Sequence, residues 1–335
     1  METELLDNGH VGDLAGPYAI DACSAEEARS VAGHASGCPA CAAEIARLRQ
    51  AAGWIGASAA RAPAPGLRSR VLAAALAARP ADHTGPRDAA ELGRLTELYR
   101  TRVAELDRLV SELSPAHWQL PSAPHGSLRE LMVHLHANDG LVATAAGLDP
   151  SPVDARSPAD VRLSWRRQAG ALVEVVGRRG SRLRERQVPL AGRRAIRRPL
   201  REALIQRGFE TWTHAEDVRR VLDLPPRRPG GQQIADIVGF ALPLLPAALA
   251  AAGRAHPGRA VRLALTGEGG GIHLVGLSPA APTGGAVVAE ISLPAERFCR
   301  LLAGRLTGPA AHAEIGGDPA VAADFLAVAA TMGCD

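Results

Sequence analysis

Three soft metal ligands stand within eight residues, His34-Ala-Ser-Gly-Cys38-Pro-Ala-Cys41. The Cys-x2-Cys spacing lets one tight turn present two sulfurs to one ion, and Zn²⁺ takes thiolate sulfur and imidazole nitrogen in a tetrahedron. Zinc is therefore the expected occupant. The flanks agree. Ser24-Ala-Glu-Glu27 is a capping box that opens a helix, Ala28, Val31 and Ala32 carry its apolar face toward His34, and residues 42–49 read as helix again. A metal there would staple two short helices together.

A second constellation is spread along the chain. Glu210-Thr-Trp-Thr-His214 places a carboxylate and an imidazole at i and i+4 on one helical face. Upstream, the capping box Ser127-Leu-Arg-Glu130 opens a helix on which His134 shares a face with Leu131 and Leu135, while His136 falls on the opposite face. An inward His134 with Glu210 and His214 makes two imidazoles and a carboxylate on two helices of one bundle. That set suits a divalent metal, zinc first, with one position left open for water or a thiolate, and a metal so held acts as a Lewis acid.

The elements that must position these groups are mainly helical. Residues 92–113 keep helical spacing until Ser114-Pro115, and residues 200–222 form the helix that carries Glu210 and His214. Residues 81–90, rich in Pro, Gly and charge, read as a linker. From about residue 230 the pattern changes. A helix over 234–252 precedes short strands at 261–265, 272–277 and 286–291, then a helix at 294–304, a strand at 312–315 and a final helix capped by Asp318.

Composition narrows the functional classes. In 335 residues with 47% hydrophobic but only 3% aromatic side chains, Ala- and Leu-rich helices are expected rather than a β-sandwich. All 38 basic residues are arginine, and the net charge of +3 does not argue for direct nucleic-acid binding. Five cysteines, two in the metal motif, make no disulfide framework, so a reducing cytoplasm is the expectation. The N-terminal residues lack the basic and apolar regions of a signal peptide. The apolar run 237–253, interrupted by Pro243 and Pro246, reads as a buried helix rather than a membrane span. Arginine crowds residues 162–201, most simply as solvated helix faces. Gly269, Gly270 and Gly271 lack the Lys-Ser/Thr of a phosphate loop, and Cys299 and Cys334 have no assignable catalytic partner.

Two resemblances organise these readings. His10-Val-Gly-Asp-Leu-Ala-Gly-Pro-Tyr18, the Ser24 capping box, the His34/Cys38/Cys41 motif and residues 63–72 together resemble the zinc-binding anti-sigma domain, over residues 1–80. The resemblance implies a fourth ligand upstream, at His10 or its rival Cys23. Leu128-Arg-Glu-Leu-Met-Val-His134-Leu and Phe209-Glu210-Thr-Trp212-Thr-His214-Ala-Glu-Asp217-Val-Arg resemble the two signatures of the mycothiol-dependent maleylpyruvate isomerase family, a DinB-like four-helix bundle. That family's metal ligands carry over to His134, Glu210 and His214. Its Gly-Trp pair does not, because His125-Gly126 stands in that place. Gly304-Arg305 and Gly316-Gly317-Asp318 resemble landmarks of the sterol-carrier-protein-like domain that accompanies the bundle.

The expected architecture is thus multidomain and mainly α: a zinc-stapled helical domain at 1–80, a linker at 81–90, a metal-binding bundle at 91–227 and a small α/β domain at 228–335. The favoured function is a cytoplasmic, zinc-dependent anti-sigma factor that holds a sigma factor of the extracytoplasmic-function type. It would release that partner on oxidation of Cys38 and Cys41, or when a ligand such as a low-molecular-weight thiol reaches the bundle metal. The alternative is a mycothiol-dependent isomerase or thiol transferase working at His134, Glu210 and His214.

Overall fold

The computed structural model describes residues 9–59, 86–149, 152–192 and 196–333, with Leu67, Arg70, Val71 and Ala74 as further helical positions. The chain divides into two compact units, residues 1–81 and 82–335. The resemblance at residues 63–72 falls largely outside the described residues, and Cys334 falls wholly outside them.

In the first unit a 3-10 turn leads into α1 (Ala15–Ala19), followed by α2 (Ala25–Gly37) and α3 (Pro39–Ala59). The capping box forms as the spacing predicts. Glu27 N–H donates to Ser24 Oγ, and Ser24 N–H donates to the Glu27 carboxylate. The extended backbone of Cys38 ends α2, and Pro39, whose missing N–H costs nothing at a helix start, opens α3. The core is small: Val11, Ala15, Val31, Cys41 and Ile45.

The second unit is a helical bundle continued by an α/β layer. Its four long helices are α4 (Pro86–Ser111), α5 (Leu128–Ala145), α6 (Pro158–Arg179) and α7 (Leu200–Val221). Helix α4 packs on α6 and α7, and α5 packs on the same two. Two features depart from the sequence expectation. The second half of the linker is helical, because Pro86 opens α4 there. Residues 158–179, noted only as Arg-rich, form a full helix capped by Ser157. Most of the arginines described in that region meet carboxylates: Arg162 and Arg166 reach Asp107, Arg184 reaches Glu91, and Arg201 reaches Glu185.

Two short hairpins flank the bundle, β1 (Pro121–Ser122) with β2 (Gly126–Ser127), and β3 (Gln187–Pro189) with β4 (Arg197–Pro199). Beyond α7, the helix expected at 234–252 is broken into α8 (Gly231–Ala241), a 3-10 turn and α9 (Leu245–Ala251), as Pro243 and Pro246 require. Residues 231–251 have the length and hydropathy of a membrane span, but Ile234, Ile237, Val238, Leu245 and Leu249 are buried in the core. Strands β5 (Arg259–Thr266), β6 (Gly271–Gly276), β7 (Ala286–Pro294) and β8 (Glu314–Gly317) form a sheet ordered β6-β5-β7-β8. The central β5/β7 pair is parallel and the outer pairs are antiparallel. Helices α10 (Ala295–Leu302) and α11 (Pro319–Ala329) cover one face through Phe298, Leu302, Phe325 and Leu326. Phe209 and Trp212 of α7 belong to this same core, so the sheet layer and the bundle share side chains across the sequence boundary at 227/228.

Two candidate metal centres

The first centre lies where α2 meets α3. His34 occupies the last turn of α2, Cys38 the junction and Cys41 the first turn of α3. His10 joins them, its Nδ1 3.2 Å from Cys41 Sγ and 3.6 Å from Cys38 Sγ. One donor atom from each of His10, His34, Cys38 and Cys41 lies within 4.8 Å of the others. Cys23 lies elsewhere, with its Sγ 3.9 Å from the Leu14 carbonyl, and burial with the nearby Glu27 raises its pKa. Backbone N–H groups at the start of α3, Cys41 first, hold the Cys38 thiol below its ordinary value. His34 Nε2 is buried with no hydrogen-bond partner among the described residues, a costly arrangement for an imidazole unless something accepts its lone pair. Two thiolates and two imidazoles at this spacing fit a tetrahedral zinc site.

The second centre lies inside the bundle. His134 Nε2 approaches Glu210 Oε1 at 2.8 Å, and His214 Nε2 lies 3.9 Å from the same oxygen. Both imidazoles therefore converge on one carboxylate oxygen, as the spacing of Glu210 and His214 and the inward face of His134 lead one to expect. The sequence missed a third imidazole. His125, in the turn between β1 and β2, has its ring centroid 4.1 Å from that of His134 and 5.0 Å from that of His214. One nitrogen from each of these three histidines falls within 4.8 Å of the others. The signal for His125 was in the chain, since it stands where the resembled family has another residue pair. Only the hairpin brings it over His134.

The residues behind this cluster fix its protonation and aim. Asp217, an acceptor only, accepts a hydrogen bond from His214 Nδ1–H at 3.0 Å, which leaves Nε2 as the electron-pair donor. Burial pushes the Asp217 carboxyl up, but His214 and the two-pronged Arg305 outweigh it and hold the carboxyl at about 2. Burial likewise raises Glu210, yet the Arg207 guanidinium against its carboxylate, with His134, keeps it at about 2. Asn138 bridges, its amide reaching His134 Nε2 at 3.0 Å and Glu210 Oε1 at 2.5 Å. Arg207 also faces Asp139 at 3.5 Å, and both side chains are fully buried. Two imidazoles, a carboxylate held ionised and an ordered carboxylate behind one histidine fit a divalent metal such as zinc.

The expectation that His136 points away from the interior is wrong. It is 6% exposed, its carbonyl accepts from Gln168 of α6, and burial lowers the pKa of its ring. Helix α5 is covered by α6 on one side and α7 on another, so a residue opposite the His134 face is also buried.

The sequence matches no protein-family model and no curated relative. Two solved structures match. The crystal structure of the mycothiol-dependent maleylpyruvate isomerase aligns over 64% of this chain and 89% of that chain, at 17% identity and a TM-score of 0.45. A histidine-to-alanine mutant of the mycothiol-dependent maleylpyruvate isomerase aligns over the same shares, at 15% identity and a TM-score of 0.45.

Proposed function

We propose that residues 82–335 form a metal-dependent module for thiol chemistry, an isomerase or thiol transferase, with His134, Glu210 and His214 as metal ligands. The observation that carries this reading is the convergence of the His134 and His214 nitrogens on one Glu210 oxygen, with Asp217 aligned behind His214. The signatures around His134 and Glu210 point to mycothiol as the thiol. A divalent metal held there would supply Lewis acidity and keep a thiol as its thiolate near neutral pH.

The chain's own residues do the rest. Asp217 sets the tautomer and direction of His214. Arg207 keeps Glu210 ionised inside the bundle. Arg305 and Arg220, both on Asp217, lay positive charge beside the site and favour an anionic substrate such as an unsaturated acid. The test is calorimetric titration of the zinc-loaded protein with mycothiol, together with absorbance assays of maleylpyruvate isomerisation. Binding to wild type, lost in His134→Ala and His214→Ala along with bundle metal, is expected. A zinc-loaded wild type that binds no thiol would end this reading.

A second reading is favoured by an observation in the N-terminal unit. Exposed Ile20 and Ile55 line a shallow apolar concavity with Leu48 and Ala52, on α1 with the turn after it and on α3, and Trp54 beside Ile55 in sequence is also exposed. An apolar face on so small a unit supports docking of a protein, here a sigma factor of the extracytoplasmic-function type, with the chain as its anti-sigma factor. Peroxide would take two electrons from the Cys38 and Cys41 thiolates to form a disulfide, and the site would lose its zinc and the fold that presents this face. A sigma factor captured from host lysate by reduced wild type, but not after peroxide or by Cys38→Ala/Cys41→Ala, is the expected result. Absence of any sigma factor in the reduced sample would refute it.

A further inference from the structure

We infer that His125 is a fourth ligand of the bundle metal, and that an incoming thiolate takes its place and frees the hairpin that carries it. This rests on the reading that the bundle holds a metal and receives a thiol, and it adds how access to that metal is controlled.

The four donors differ in how firmly the fold holds them. His134 follows the Ser127/Glu130 capping box on α5, and Glu210 and His214 lie mid-way along α7, both buried. His125 lies in the turn of a hairpin whose strands have two residues each and pair only as Pro121↔Ser127 and Ser122↔Gly126. Moving His125 therefore shifts a hairpin of two-residue strands, whereas moving any of the other three disrupts a long helix. Its placement over the cluster is nonetheless specified. Gly126, next to it, has φ of +91°, and a Cβ there would collide with the Glu130 carboxylate of the capping box. The turn that aims His125 is thus tied to the start of the helix that carries His134.

Coordination number supplies the consequence. Three protein donors leave a tetrahedral metal with an open position, and a fourth closes it. With His125 in place, the resting site is closed to adventitious ligands. When a thiol binds, a sulfur–metal bond replaces the His125 nitrogen–metal bond, and the thiol proton leaves to solvent. No electrons are transferred. The hairpin also borders a concavity of about 570 Å³, lined in part by Ala123, Pro124, Arg220, Arg305 and Thr331.

The test is ¹¹³Cd NMR of the cadmium-loaded full chain, with N-acetylcysteine as the thiol probe. The thiolate-ligated N-terminal site resonates far downfield of the nitrogen- and oxygen-ligated bundle site, so the two are read separately. His125→Ala and His125→Asn should shift only the upfield resonance and weaken cadmium at that site by at least about tenfold. They should also bind N-acetylcysteine more tightly than wild type, because nothing must be displaced. An upfield resonance unchanged in both variants would overturn the ligand assignment. A shifted resonance with unchanged thiol affinity would overturn the exchange while leaving the thiol-binding reading standing. Cadmium-loaded protein in which neither wild type nor variant binds N-acetylcysteine would remove the thiol reading, and the exchange with it.

Discussion

The two donor clusters differ most in what surrounds them. In the first unit the donors are part of the core, since Cys41 is one of the five buried core residues among those described and Cys38 packs against them. In the bundle the donors are set within a core already complete without them, built on Leu95, Tyr99, Leu106, Leu131, Leu135, Trp165 and Leu172. A small domain that cannot bury enough apolar surface depends on another source of folding free energy, and a large one does not. A metal held at each cluster would therefore have opposite roles: in the first unit it would make the fold, and in the bundle it would be available for chemistry.

Chelation gives the largest expected separation between them. Structural zinc contributes about 10–16 kcal/mol in zinc-finger peptides, more than a unit with so small a described core can replace. Removing metal from the full chain should abolish hydrogen-exchange protection in α2 and α3 while α4, α6 and the flanks of α7 stay protected. Protection of α2 that survives chelation would erase the distinction. Next in size is Arg207, buried between Glu210 and Asp139. Arg207→Met would leave two buried carboxylates without their shared cation, which costs about 3–5 kcal/mol. Because a dication at the bundle site compensates part of that charge, urea unfolding should show a smaller loss with zinc bound than without it. Equal losses in both states would place the metal away from Glu210.

The sequence carried the local chemistry further than the spatial arrangement. Both capping boxes, the Cys-x2-Cys turn and the i, i+4 pair on α7 were legible because each is set by neighbours within one or two helical turns. The meeting of His134 with Glu210 followed from apolar periodicity, which says which face points inward. Three features were not legible, each for a stated reason. His125 depends on a hairpin, and no propensity shows where a hairpin will lean. His136 is buried because α5 is covered on two sides, whereas a periodicity argument assumes one. The Tyr99, Asp139, Trp165 and Arg207 cluster joins four helices, so no window of sequence contains it.

That cluster sharpens the contrast through pH. Trp165 Nε1–H donates to Asp139 Oδ2 at 2.9 Å. Burial is the largest influence on Asp139 and raises its carboxyl to about 6, against the partial pull of Arg207 and Tyr99. The folded protein therefore holds this proton where the unfolded chain, with an ordinary aspartate near pH 4, has lost it. The contribution is fully present below about pH 4 and is lost as pH rises toward 6. Urea midpoints measured across that window should fall more steeply with rising pH in wild type than in Asp139→Asn. Parallel slopes would mean that Asp139 is ionised throughout.

The smallest effect leaves stability untouched and compares thiols. Cys38 has a lowered pKa in a half-buried site, whereas burial, with the nearby Glu296, pushes the Cys299 thiol up to about 12. The thiolate is the species that reacts, so at pH 8 almost none of Cys299 is reactive in the folded sheet layer. Iodoacetamide added to metal-free protein should label Cys38 and leave Cys299 unlabelled until denaturant is present, as read by peptide mass spectrometry. Zinc should protect Cys38 and make no difference to Cys299. Labelling of Cys299 in the native, zinc-loaded state would show that the sheet layer opens on the timescale of the reaction.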